Sequence, residues 1–128
     1  MLHNEADMKT KITFSTYNEL YVVDCDSVMY LEADDHYTHV YYLTGAHFLI
    51  PFGLSEVMET IDCALGDDRF LLRLGRKYVV NTHVVFHVNT VKQVLLLTDM
   101  QGNSHSIHLP KATLRSLIDI IDGRCKRQ

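Results

Sequence analysis

Phe70-Leu71-Leu72-Arg73-Leu74-Gly75-Arg76-Lys77-Tyr78-Val79-Val80-Asn81 sets three cationic side chains and one glycine between two apolar runs. The flanking runs, Phe70 to Leu72 and Tyr78 to Val80, read as strands, and Gly75 reads as the corner between them. A basic corner of this kind presents charge to a polyanion. Arginine offers a planar fork for a base edge or a phosphate, and lysine offers a point charge. The plainer reading is an exposed turn whose charges keep the protein soluble. Choosing between the two requires the rest of the chain.

Outward from this corner, short runs rich in Val, Tyr, Ile, Phe and Thr alternate with turn residues, so the chain reads as mainly β. The other candidate strands are Ile12 to Phe14, Glu19 to Val23, Val28 to Ala33, Tyr37 to Leu43, His47 to Pro51, Val84 to His87, Val91 to Thr98 and Ser104 to Leu109. Two hairpins are explicit at Leu43-Thr44-Gly45-Ala46 and at Asp99-Met100-Gln101-Gly102-Asn103, and in the second Gly102 supplies the positive φ of a tight return. Leu54, Val57, Met58, Ile61, Ala64 and Leu65 recur at helical spacing opposite Glu56, Glu59 and Asp62, and Gly66 ends that helix. A second helix is expected with Pro110 in its first turn, Leu114, Leu117, Ile118 and Ile121 on one face, and a stop near Gly123. The domain is expected to span residues 12–122, between a flexible segment 1–11 and a basic tail 123–128.

The chain has 128 residues, 47% hydrophobic and 22% charged, which is enough apolar material for one domain with a real core. No apolar run approaches the roughly 20 residues needed to span a bilayer. The start, Met1-Leu2-His3-Asn4-Glu5-Ala6-Asp7, is too polar for a signal peptide. Cys25, Cys63 and Cys125 are odd in number and form no C-x-x-C pair, which suits reduced thiols. A cytoplasmic location is therefore expected. The net charge of −4 argues against indiscriminate coating of nucleic acid. Acidic residues nevertheless concentrate in the first half and basic ones later, so one face can still be positive.

Eight histidines invite a metal hypothesis, but strand parity separates the near pairs. His36 and His39, and likewise His105 and His108, point to opposite faces of a regular strand. His83 and His87 share parity but lie about 13 Å apart along a strand, too far for co-ligation. A metal site would need histidines from different strands, and neither a metal nor a cofactor is expected. Asp34-Asp35-His36 holds acid/base chemistry, yet adjacent residues seldom converge on one reacting atom. No G-x-S-x-G, H-E-x-x-H or phosphate-loop pattern is present, so a metal-dependent enzyme is the weakest reading. Tyr37, Tyr41 and Tyr42 suit base stacking or, more commonly, cross-strand packing.

Taken in order, three markers resemble the LytTR-type DNA-binding domain, the effector module of AgrA-like and LytR-like bacterial response regulators. Val28-Met29-Tyr30-Leu31-Glu32-Ala33-Asp34-Asp35-His36-Tyr37-Thr38-His39-Val40 looks like the family's strand, Glu-Ala step, polar turn and second strand. Leu54 to Leu65 is similar to its internal helix, and Phe70 to Asn81 looks like its Phe-x-Arg-x-His-Arg-Ser-aromatic-x-Val-Asn segment, with Gly75 and Lys77 where histidine and serine are usual. Leu109-Pro110-Lys111 closes the pattern, in place of the usual Ser-Arg pair. The match runs from about Ile12 to Ile121.

The resemblance implies an elongated, mainly β fold of three antiparallel sheets, with one short internal helix and a C-terminal helix. It implies a non-enzymatic transcriptional regulator whose loops enter successive major grooves of duplex DNA, with bending adding indirect readout. Carried over position by position, the DNA-binding residues are Thr38 with neighbouring His36, then Arg76 with Lys77, and Lys111. The family also suggests a homodimer on repeated half-sites. With no receiver domain before Ile12, the chain is expected to be a stand-alone regulator or an excised effector module. The alternative reading is a LytTR-like protein-interaction module with weakened or lost DNA binding, suggested by the net negative charge and by carboxylates Asp34 and Asp35 near the first DNA-facing turn.

Overall fold

The computed structural model describes residues 10–125; of the flexible segment expected at 1–11 and the basic tail expected at 123–128, residues 1–9 and 126–128 lie outside the described residues. In chain order the elements are β1 (Lys11–Ser15), β2 (Leu20–Asp24), β3 (Val28–Asp34), β4 (Tyr37–Tyr42), β5 (His47–Ile50), α1 (Leu54–Leu65), β6 (Leu71–Leu74), β7 (Tyr78–Asn81), β8 (Val85–Asn89), β9 (Val94–Thr98), β10 (Ser104–His108) and α2 (Lys111–Cys125). They form three antiparallel sheets, as expected: β1-β2, a central β5-β4-β3-β7-β6, and β10-β9-β8. Among the described residues the only non-consecutive pairing in the central sheet is β3 with β7. Helix α1 therefore carries the chain from the β5 edge to the β6 edge.

The middle of the central sheet, where β3 pairs with β7, is buried on both faces, while β5 at its edge is largely exposed. On one side Val28, Leu31, Val40 and Val79 pack with Ile12, Phe14 and Val23 of the first sheet and with Leu54, Val57 and Ile61 of α1. On the other, Met29, Leu74 and Val80 pack with Leu95, Leu97 and Ile107 of the third sheet and with Leu114 and Leu117 of α2. Val79 and Val80 thus serve opposite cores, because successive strand side chains point to opposite faces. Burial on both faces is why these strands read as continuous apolar runs. Each fully buried Leu or Val contributes about 1.5 to 3 kcal/mol.

Three local expectations change. Helix α2 passes through Gly123 to Cys125, and Pro110 stands just ahead of it, its carbonyl accepting the Leu114 N–H at 3.1 Å. One glycine inside a helix costs only about 1 kcal/mol, too little to end a helix held by its packed face. The strand expected from Val91 begins at Val94. Asn89 Oδ1 accepts the N–H groups of Val91 and Lys92 at 3.0 and 2.9 Å, folding residues 90–93 into a turn that leaves Val91 exposed. Ala64 is exposed at the rim of the α1 stripe, and Leu65 takes the buried position.

Two polar anchors hold the sheets in register. Asn81 is buried; its Nδ2 donates to the Val28 carbonyl at 2.9 Å, and its Oδ1 accepts the His83 N–H at 2.9 Å. The end of β7 is thereby tied to the start of β3. In the β9–β10 hairpin Asp99 accepts from the N–H groups of Gln101 and Asn103 at 2.8 and 2.9 Å and meets His105 Nε2 at 2.8 Å. The His105 hydrogen bond, then the Asn103 and Gln101 amides, hold the Asp99 carboxyl down to about 2.

Asn81→Ala removes both anchoring bonds and is expected to destabilise by about 2 kcal/mol, read as a lower urea midpoint at unchanged slope. The depressed Asp99 carboxyl stabilises the folded chain above its ordinary value near 3.8, and this contribution is lost as pH falls toward about 2. Asp99→Asn should lower the melting temperature at neutral pH and flatten its fall between about pH 4 and about pH 2.

Candidate nucleic-acid interface

Strands β3 and β7 are antiparallel with Glu32 opposite Tyr78, so the exit of β3 and the entry of β7 share one end of the central sheet. The β3–β4 turn, Asp35-His36, and the β6–β7 turn, Gly75-Arg76-Lys77, therefore stand side by side. Ala33 N–H donates to the Lys77 carbonyl at 2.7 Å and joins them. Gly75 has φ +71 with open space where a Cβ would sit, so backbone conformation rather than crowding favours glycine there. Asp35 adopts φ 58, a conformation that a short polar side chain tolerates.

The three cations of this corner have different fates. Arg73 Nε donates to the Gly75 carbonyl at 3.2 Å, its Nη2 to the Arg76 carbonyl at 2.9 Å, and its Nη1 to Ser55 Oγ at 3.0 Å. Lys77 Nζ lies 3.4 Å from Glu32 Oε2 and 5.7 Å from the Tyr78 ring centroid. Tyr78 first, and then Glu32, push its ammonium above the ordinary value. Arg76 is exposed, and its guanidinium makes no hydrogen bond or ion pair among the described residues. A free guanidinium on a braced turn suits bidentate pairing with a base edge or phosphate.

Of the other expected contacts, His36 is exposed in its turn, 3.7 Å from the Asp35 carboxylate. Lys111 is exposed at the first residue of α2, on the third-sheet side of the molecule, and no hydrogen bond or ion pair joins it to either turn among the described residues. Thr38 is a correction. It is fully buried, and its hydroxyl donates to the Phe52 carbonyl at 2.7 Å. It shares a face with Val40, two residues on, which belongs to the core beneath α1. No part of Thr38 is left for a ligand.

Sequence reading missed two features. The pairing of Arg73 with Val79 puts its side chain on the α1 face, and strand alternation alone would have signalled this. A polar chain across three strands was not legible: Asp34 Oδ2 meets His39 Nε2 at 2.9 Å, and His39 Nδ1 meets His47 Nε2 at 2.8 Å. Tyr41 belongs to the packing of this face, stacked between Tyr30 and His47 with ring centroids 4.4 and 4.3 Å away. Burial pushes the Cys25 thiol up to about 12, which makes it a poor nucleophile at neutral pH. Among the described residues no three His, Cys, Asp or Glu side chains converge as a metal site, and no helix is long and apolar enough to cross a membrane.

The profile of the LytTr DNA-binding domain matches residues 18–122. Among solved structures the chain is similar to the LytTr DNA-binding domain of a Bacillus cereus protein described as a methyl-accepting/DNA response regulator. The two share 20% identity over 88% of this chain and 96% of that one, with a TM-score of 0.58, a likeness of fold. No curated protein matches the chain. The profile covers most of the sequence, including both turns and the start of α2, and the chain belongs to the LytTR family of DNA-binding domains.

Proposed function

We propose that this domain reads duplex DNA for a transcription regulator by inserting the Gly75-Arg76-Lys77 turn into a major groove. The observation that carries the reading is the exposed Arg76 guanidinium, without a partner among the described residues, on a turn whose backbone is held by hydrogen bonds. Arg76 takes the O6 and N7 acceptors of a guanine. Lys77 exchanges Glu32 for a phosphate, a trade that weakens as salt rises. His36 stands on the adjoining turn and reaches the same stretch of duplex. Lys111, at the start of a 15-residue helix, holds a phosphate of the neighbouring groove with the help of the helix dipole. Contacts at two places on the molecule bend the duplex, so deformability adds to recognition. Thr38 supports the strand behind the turn.

The reading as a protein-interaction module draws on Glu32, Asp34 and Asp35, which place carboxylates at the same end of the sheet as the cations. Selection of sites from random duplexes, followed by salt titration on the preferred one, separates the two readings. Specific reading predicts affinity that falls steeply with salt, and absence of any selected duplex at low salt overturns it.

Arg76→Ala is expected to weaken the preferred duplex by about 10- to 100-fold and to relax the preference at one base position, measured by competition against base-substituted sites. Glu32→Gln frees Lys77 and removes a carboxylate facing the phosphates. It should tighten binding about two- to fivefold on any duplex, preferred or scrambled, in fluorescence anisotropy at low salt.

A further inference from the structure

We infer that Arg73 is a positioning residue that aims Arg76, a role that rests on the DNA-reading function proposed above. All three of its guanidinium nitrogens are engaged, two on successive carbonyls of the turn and one on α1. The Gly75 carbonyl belongs to the peptide plane preceding the Arg76 Cα, and the Arg76 carbonyl to the plane following it. Peptide groups are planar, so holding those two oxygens sets both soft dihedrals of Arg76 and hence the direction of its Cα–Cβ bond. The next carbonyl, of Lys77, is held by the Ala33 N–H. Ser55, in the first turn of α1, braces the guanidinium against a helix whose apolar face is buried beneath the sheet. Arg73 is thus spent on geometry, and Arg76 is left free to meet the ligand.

This geometry requires arginine. Its donors are spread over a rigid planar fork, whereas the lysine ammonium gathers three donors on one nitrogen and cannot reach three separated acceptors in one plane. Arg73→Lys keeps the charge and removes the fork. It therefore separates aiming from simple attraction to phosphate.

The test compares the original chain with Arg73→Lys, Ser55→Ala, Arg76→Ala and the Arg73→Lys/Arg76→Ala double variant on the selected duplex and on a scrambled one. Arg73→Lys should lower affinity for the selected duplex about tenfold while leaving scrambled binding and the salt slope unchanged, and Ser55→Ala should do the same more weakly. In the Arg76→Ala background Arg73→Lys should have no further effect on preference, because its action passes through Arg76. Amide relaxation and hydrogen exchange, measured without DNA, should show residues 75–77 loosened in Arg73→Lys and in Ser55→Ala. Unchanged preference and an unchanged turn would overturn the inference, as would equal loss on both duplexes with a lowered melting temperature, the mark of a merely structural residue. If Arg73→Lys does not fold, Ser55→Ala decides by the same two readouts. If no duplex is selected by the original chain, the DNA-reading function fails while the relaxation data still judge the brace.

Discussion

The pairing of β3 with β7 is the constraint on which the rest of this structure depends. Among the described residues it is the one pairing in the central sheet between strands distant in sequence, Tyr30 to Glu32 against Tyr78 to Val80. Ordering the intervening loop costs entropy that grows only slowly with its length, so two buried faces suffice to offset it. Once that pair forms, α1 must cross the sheet to reach the β6 edge. The two turns that bear Asp35-His36 and Gly75-Arg76-Lys77 are then brought to one end. Asn81 reinforces the pair from the other end of β7 through its bond to Val28.

Electrostatics at that end is a matter of partners more than of net charge. The chain carries −4 overall, and three carboxylates stand near the basic corner. Yet the three cations are not equivalent. Arg73 is spent on two carbonyls and a hydroxyl, Lys77 is paired with Glu32, and the exposed Arg76 guanidinium has no partner among the described residues. A local arrangement of this kind lets an acidic domain present one strong donor to a polyanion. It also lowers the background attraction that a uniformly basic surface would have for any duplex.

Much of the fold was legible from pattern. All ten candidate strands correspond to observed ones, α1 has its expected bounds, and Gly102 takes the positive φ that its hairpin needs. The misses have local causes. Asn89 capped a turn at the start of an expected strand, and one glycine costs too little to end α2 at residue 123. The site was less legible. Glycine and charge mark the corner, and the resemblance carried Arg76 and Lys77 from it as expectations, whereas Thr38 could not be placed without knowing which face of β4 lay beneath α1.

By itself the sequence determined the elements, the turns and the ordered markers that match the LytTR pattern. Such signals are written in spacings of two to four residues, where backbone geometry repeats. Only the tertiary structure decided which cation is free, which carboxylate holds Lys77, that Thr38 is core, and that Asp34, His39 and His47 join across strands. Those outcomes depend on strand order and on which face each layer covers. Both are set by long-range pairing and burial, which no local spacing encodes.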